Sequence, residues 1–334
     1  MGSRLKEGVV VNGKEAFKFS LRMHAKVIKT TVFHREVMSK PVFSVITTGR
    51  GEKDTRALKE TFNNWEIAKK VFEEKSGKSK TIEFIVVDAG ENAEFPEIGD
   101  CKIISPEEYE EYRKELWKSG IIKYPGWDTP AIGRNLGFKH AKGRIVVFHD
   151  IDSLFSTGTE MDDAYIFSEL DKYENYFEVM YYAFKRKDIV ATVPSLRPRD
   201  SLKLGRRFGI MGANLLTRLS LKFPTIEILG IPVIGASVPG CSMTLLYDVA
   251  CRMANNGYGP YDPELGVSED QKISRLMSRF GRISYERGAG VFTRTRNRVS
   301  DGYDIAKSLG YAIKGSTYYL FPGLFKYRRH SLTI

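Results

Sequence analysis

Arg134-Asn135-Leu136-Gly137, then Ala141-Lys142-Gly143, then Arg144-Ile145-Val146-Val147-Phe148-His149-Asp150-Ile151-Asp152 is the stretch that decides how this chain is read. Pro130 stands at a first helical position and opens a short helix carrying Arg134 and Asn135. A tight turn at Lys142-Gly143 leads into an apolar run that reads as a buried strand, and the strand ends in two carboxylates two residues apart. Alternate strand residues point to one side, so Asp150 and Asp152 are expected to reach one ion together. The carboxyl ends of strands are where open α/β sheets bind their ligands. Paired hard oxygen donors in that position suit Mn²⁺ or Mg²⁺ holding a pyrophosphate.

Upstream of this stretch, Val42 to Thr47 reads as a strand and Thr48-Gly49-Arg50-Gly51 as a loop. Leu58, Phe62, Trp65 and Phe72 then recur at helical spacing. A second strand, Ile82 to Val87, closes on Asp88-Ala89-Gly90; Lys102 to Ser105 makes a short third, and a charged helix follows Pro106. Strands alternating with helices argue an α/β fold, a mostly parallel sheet with helices on both faces. The second half is less regular. It offers a strand from Asp188 to Ser195 and amphipathic helices in the C-terminal half: Leu204 to Phe223, Ser242 to Asn255, and Gln271 to Phe280 after Ser268-Glu269-Asp270. Residues 1–40 read as a basic N-terminal extension and 301–334 as a basic, aromatic C-terminal tail.

The chain has 334 residues, 42% hydrophobic and 28% charged, the balance of an ordinary globular protein with a substantial core. Cys101, Cys241 and Cys251 lack metal-ligand spacing and read as reduced, intracellular thiols. The basic, interrupted N-terminus does not read as a signal peptide. A net charge of +11 points to anionic partners without choosing among nucleotide phosphates, lipid headgroups and nucleic acid. The cations cluster: Ser201 to Ile226 holds five Lys or Arg and no acid, and no acid follows Asp304. A nucleic-acid binder would rest on charge alone, lacks a recognisable module and leaves the paired aspartates unexplained. Ile228 to Tyr247 is free of charge over about the length of a bilayer span, but Pro232, Pro239 and three glycines argue against a membrane helix.

Four pieces stand in one order: a strand ending in Asp88, the Arg-Asn-x-Gly helix feeding Asp150-Ile151-Asp152, the Pro239-Gly240-Cys241-Ser242 segment, and Glu269-Asp270 opening a helix. Over about residues 41–290 this resembles the GT-A (Rossmann-like) glycosyltransferases of family 2, with their cellulose-synthase-like and dolichyl-phosphate-sugar synthase relatives. The resemblance implies a nucleotide-sugar-binding half over 41–153 and an acceptor-binding half over 154–300. It implies that Asp88 meets the base or ribose, that Asp150 and Asp152 are the metal-binding DxD pair, and that Asp270 is the catalytic base. The nucleotide-sugar set it implies also takes in Thr47, Arg134, Gly240, Cys241 and Glu269. Two departures matter. Asp88-Ala89-Gly90 stands where the family often has Asp-Asp-Gly, and Arg294-Thr295-Arg296-Asn297-Arg298 stands where processive synthases carry Gln-x-x-Arg-Trp. Single-sugar transfer is therefore expected rather than polymer synthesis.

The reading so reached is a metal-dependent inverting transferase using a GDP- or UDP-sugar and Mn²⁺ or Mg²⁺. Arg294, Arg296 or Arg298 would add charge at the phosphates, since guanidinium forks match phosphate oxygens. The expected acceptor is a lipid phosphate or a lipid-linked glycan, the enzyme cytoplasmic and peripheral on the inner face of an anionic membrane. A stripe of Leu204, Phe208, Met211, Leu215 and Leu219 flanked by Lys203, Arg206, Arg207, Arg218 and Lys222 suits that interface, and suits ordinary core packing equally. A soluble transferase on a small or protein acceptor and a sugar-phosphate nucleotidyltransferase are the alternatives. Arg134 and Asn135 fit packing and capping as well as ligand roles, and His149 fits packing as well as metal contact.

Overall fold

The computed structural model describes residues 41–79, 81–90, 95, 98–160, 172–198, 204–222, 226–228, 231–234, 236, 238, 240, 242–254, 258–265 and 269–293. The basic extension over 1–40, the tail over 301–334, Cys241 and the arginines 294, 296 and 298 lie outside these residues.

The first half follows the expected alternation. Strand β1 (Phe43–Gly49) leads into helix α1 (Gly51–Ser76), then β2 (Ile82–Asp88), β3 (Lys102–Ile104), helix α2 (Pro106–Lys118), helix α3 (Pro130–His140) and β4 (Ile145–His149). Each helix has a local reason to start or stop. Gly77 closes α1 in the left-handed region at φ 63°, its N–H donating to Glu73 O. Ser105 caps α2 by accepting from Glu108 N, and both α2 and α3 begin on a proline. The strands are apolar on both sides. Val45, Phe84, Val86, Ile145 and Val147 meet α1, while Ile46, Ile85, Val87, Val146 and Phe148 meet α2 and α3. Burial on both faces is the mark of a sheet sandwiched by helices.

The second half adds β5 (Ser153–Phe155), helix α4 (Tyr176–Ala183), β6 (Ile189–Pro198), helix α5 (Leu204–Ser220), the hairpin β7 (Ile226–Ile228) with β8 (Ile231–Ile234), β9 (Ser242–Leu246), helices α6 (Tyr247–Met253) and α7 (Glu269–Met277), and β10 (Arg282–Thr293). The eight-stranded sheet runs β3-β2-β1-β4-β9-β6-β10-β5. β9 and β5 run against the other six, so the expected mostly parallel sheet with helices on both faces is present.

One expectation for this half needs correction, and two strands went unread. Ser242 to Asn255 is not one helix, because its first five residues form β9 between β4 and β6. Ser242 to Leu245 are buried, so no alternation betrays the strand; Ser242 and Thr244 face inward to meet the Tyr176 hydroxyl at 2.9 and 2.6 Å. The charge-free run from Ile228 to Tyr247 is spent on β8 and β9, and among the described residues no helix is long and apolar enough to cross a membrane. β5 and β10 escaped the sequence reading altogether. β5 is three residues long, and the pairing of β10 with β6 slips between Glu286 and Gly290, which breaks its period.

Candidate active site

The site is built at the carboxyl ends of β1, β2 and β4. β4 stops at His149, one residue short of the first aspartate, and the chain turns there, with Ser153 N donating to Asp150 O at 3.1 Å. Asp150 and Asp152 thus sit on a turn rather than on the strand that was expected to align them. Alternation still governs the residue before. His149 faces α1, its ring 4.0 Å from that of Phe155 and close to Trp65, with Nε2–H donating to Ser153 O at 3.0 Å. Burial pushes its pKa down to about 3, so it is a neutral packing residue.

Asp150 lies on the other side, under α3, where it meets Arg134. This arginine is only 6% exposed and is the centre of the site. One guanidinium nitrogen donates to Asp270 at 3.0 Å and Glu269 at 3.4 Å; the other donates to Asp150 at 3.1 Å and to Gly240 O at 3.3 Å. The Tyr261 ring lies 5.1 Å beneath it. Burial opposes the Arg134 charge, but Tyr261, Asp270, Asp150 and Glu269 more than offset it and hold its pKa above the ordinary arginine value.

The rest of the Arg-Asn-x-Gly helix explains how that arginine is aimed. Gly133 and Gly137 lie flat on Thr48 and Ile46, where a β-carbon would overlap those side chains, so α3 approaches β1 closely. Asn135 holds the 258–265 segment, donating to Tyr261 O at 2.8 Å and accepting from Tyr261 N at 3.0 Å. Gly259 passes over Asn135 at φ 117°, a backbone conformation that favours glycine. Arg134 and Asn135 therefore act as a pair: one gathers the acids, the other fixes the tyrosine on which the first stacks. Sequence reasoning did not single out Tyr261, and nothing local marks it.

Glu269 and Asp270 open α7, and Gly240 approaches so closely that a β-carbon would overlap the Asp270 carboxylate. Burial pushes the Asp270 pKa up to about 7, with the Glu269 charge adding and Arg134 opposing. Among the described residues, Arg134 thus meets three carboxylates, one cation against three acids in this cluster. Among the described residues no group of three or more His, Cys, Asp or Glu could enclose an ion. Asp150, its side chain 41% exposed, and the half-buried Asp152 both stand on the turn after β4, and two carboxylates are a hard oxygen donor set. Such a set fits Mg²⁺ or Mn²⁺ whose remaining positions come from phosphate and water.

Two expected residues sit differently. β1 runs two residues further than read, so Thr47 is fully buried inside the strand rather than at its rim. Asp88 stands at the end of β2 beside Gly49 as expected, but it too is fully buried, and its carboxylate accepts from Gly90 N at 2.8 Å and Phe95 N at 3.0 Å. It thereby ties Gly90 and Phe95 to the end of β2.

No family model and no curated protein matches this chain. Solved structures similar to it include a mannosyltransferase, PcManGT, from Pyrobaculum calidifontis in complex with GDP-Man and Mn²⁺ (14% identity, TM-score 0.44, 84% of this chain and 66% of that one). A second is S. aureus TarS, residues 1–349 (13%, 0.41, 75% and 60%). A third is glucosyl-3-phosphoglycerate synthase from Mycobacterium tuberculosis in complex with Mn²⁺, UDP and phosphoglyceric acid (14%, 0.43, 85% and 78%). This chain thus spans somewhat less than two thirds of the first two.

Proposed function

We propose that this protein is an inverting GT-A glycosyltransferase that moves a single sugar from a GDP- or UDP-sugar to an acceptor, with Mn²⁺ or Mg²⁺ held by Asp150 and Asp152. The observation that carries this reading is the convergence of Asp150 and Asp270, 120 residues apart in the chain, on the buried guanidinium of Arg134. A donor-site carboxylate and a base are thereby held in fixed relation at the ligand-binding end of the sheet. When bound, the ion would neutralise charge on the diphosphate of the leaving nucleoside diphosphate.

Asp270 accepts the proton of the acceptor hydroxyl, and its pKa of about 7 suits a base that must exchange a proton near neutrality. Arg134 keeps that carboxylate oriented. A single displacement from the face opposite the leaving group inverts the anomeric centre. Arg294, Arg296 and Arg298 are proposed as additional phosphate contacts, and the end of β2 at Asp88 as the nucleoside side of the site. The acceptor is proposed to be a lipid phosphate or lipid-linked glycan, in keeping with the basic excess. A phosphate acceptor is already anionic, so Asp270 would position it rather than deprotonate it.

The test is a thermal-shift panel of UDP, GDP and their common sugars with and without Mn²⁺. The expected result is a metal-dependent rise in Tm with one nucleotide, absent in Asp150→Ala. Product analysis should then find nucleoside diphosphate; release of inorganic pyrophosphate would establish a nucleotidyltransferase instead.

A further inference from the structure

Helix α5 turns its apolar side outward. Its inward side is set by Ile210, which packs on the core beneath the sheet, and by Asn214, which donates to Leu196 O at 2.8 Å and accepts from Leu196 N at 2.9 Å. Thr217, 5% exposed, and Leu221 continue that side. Away from it stand Met211, Leu215, Leu216 and Leu219, exposed by 59, 54, 68 and 41%. They are four of the eight large hydrophobic side chains exposed among the described residues. Scattered exposed apolar residues are ordinary, whereas a contiguous set on one helix marks an interaction surface.

The surrounding charge says what that surface meets. The segment from Ser201 to Ile226 carries five cations and no acid; Lys222, just past α5, is exposed, and the half-buried Arg218 lies 5.8 Å over the Tyr285 ring. A second copy docked face to face would bring like charges together, which opposes association. An anionic lipid surface instead accepts the leucines between its headgroups and the cations at its phosphates. α5 also starts just past the carboxyl end of β6, the end of the sheet at which Asp150 lies. We propose that α5 docks the protein on an anionic membrane surface, apolar stripe inward. That this brings a lipid-borne acceptor to the active site rests on the transferase reading above; the docking itself does not.

The experiment is flotation of the full chain with phosphatidylcholine vesicles prepared with or without phosphatidylglycerol. Binding is expected only to the anionic vesicles and should weaken at high salt as the charges are screened. The double variant Leu215→Glu, Leu216→Glu should lose binding while keeping its Tm, because both positions are exposed. Arg218→Glu and Lys222→Glu should each lower partitioning by about five-fold or more, on the scale of about 1 kcal/mol per cation near the surface. Failure of the wild-type chain to float with anionic vesicles would overturn the proposal. So would undiminished binding by the leucine variant, or a solution dimer that the leucine variant dissociates. The nucleotide thermal shift is run in parallel. Flotation without any nucleotide shift would count against the transferase and leave the docking surface standing; the reverse would separate them the other way.

Discussion

Arg134 shows why single residues in this protein carry unequal weight. Its positive charge is held by Asp150, Glu269 and Asp270, so deleting it removes the cation shared by the low-exposure carboxylates of Glu269 and Asp270. Breaking a buried ion pair from one side costs about 3–5 kcal/mol. Arg134→Gln should lower stability by that order in a denaturant melt, with Arg134→Lys intermediate because it keeps the charge and loses the fork. Asp270 has its own signature in pH. Activity with a hydroxyl acceptor needs the carboxylate, so kcat/KM should rise with pH through about 7 and flatten above it. Stability runs the opposite way. Because the fold raises this pKa from 3.8 towards about 7, its contribution is fully present below 3.8 and is lost as pH rises through 7. Asp270→Asn should remove both dependences: transfer to a hydroxyl acceptor falls to near zero at every pH, and that part of the stability loss disappears. A rising activity limb that survives in Asp270→Asn would assign the base elsewhere.

At the scale of elements, the site depends on how α3 is pressed onto β1 and tied to the 258–265 segment. Asn135 makes both tethers to the Tyr261 backbone. Asn135→Ala should strand a buried N–H and a buried C=O, at about 1–3 kcal/mol for each group left without a partner. Hydrogen exchange at the Tyr261 amide should quicken, with transfer weakened through Arg134 rather than through loss of any group that touches substrate. Gly240 is a second element-level constraint. Gly240→Ala forces the β9 approach away from Asp270. The expected cost in stability is about 1–3 kcal/mol, as for other overpacked sites, with a larger proportional loss in kcat. Unchanged turnover in Gly240→Ala would mean that the Asp270 orientation in this structure is not the working one.

Over the whole chain the net charge is +11, while at the site Arg134 faces three carboxylates. A cation held by Asp150 and Asp152, as proposed, would offset these carboxylates, and a nucleotide bound with it would add its own linkage. At a ligand concentration of a hundred times Kd the fold should gain about 2.7 kcal/mol, seen as a rise in Tm that a chelator abolishes. Much of this protein was legible from local pattern. Helical spacing from Leu58 to Phe72, prolines at the starts of α2 and α3, and the apolar run into Asp150 each depend on neighbours within a turn or a strand. The sequence by itself therefore determined the α/β alternation and the strand that leads to the paired aspartates, though not the turn on which they sit. Contacts between residues far apart in the chain were decided only by the tertiary structure. It inserted β9 between β4 and β6, where burial on both faces erases any alternation. It put Thr47 inside a strand and His149 in the core. It brought Arg134 to acids more than 130 residues away, and it faced the leucines of α5 outward although their spacing reads equally well as core. Periodicity identifies a helix and its apolar side; which way that side faces is set by what the rest of the chain packs against it.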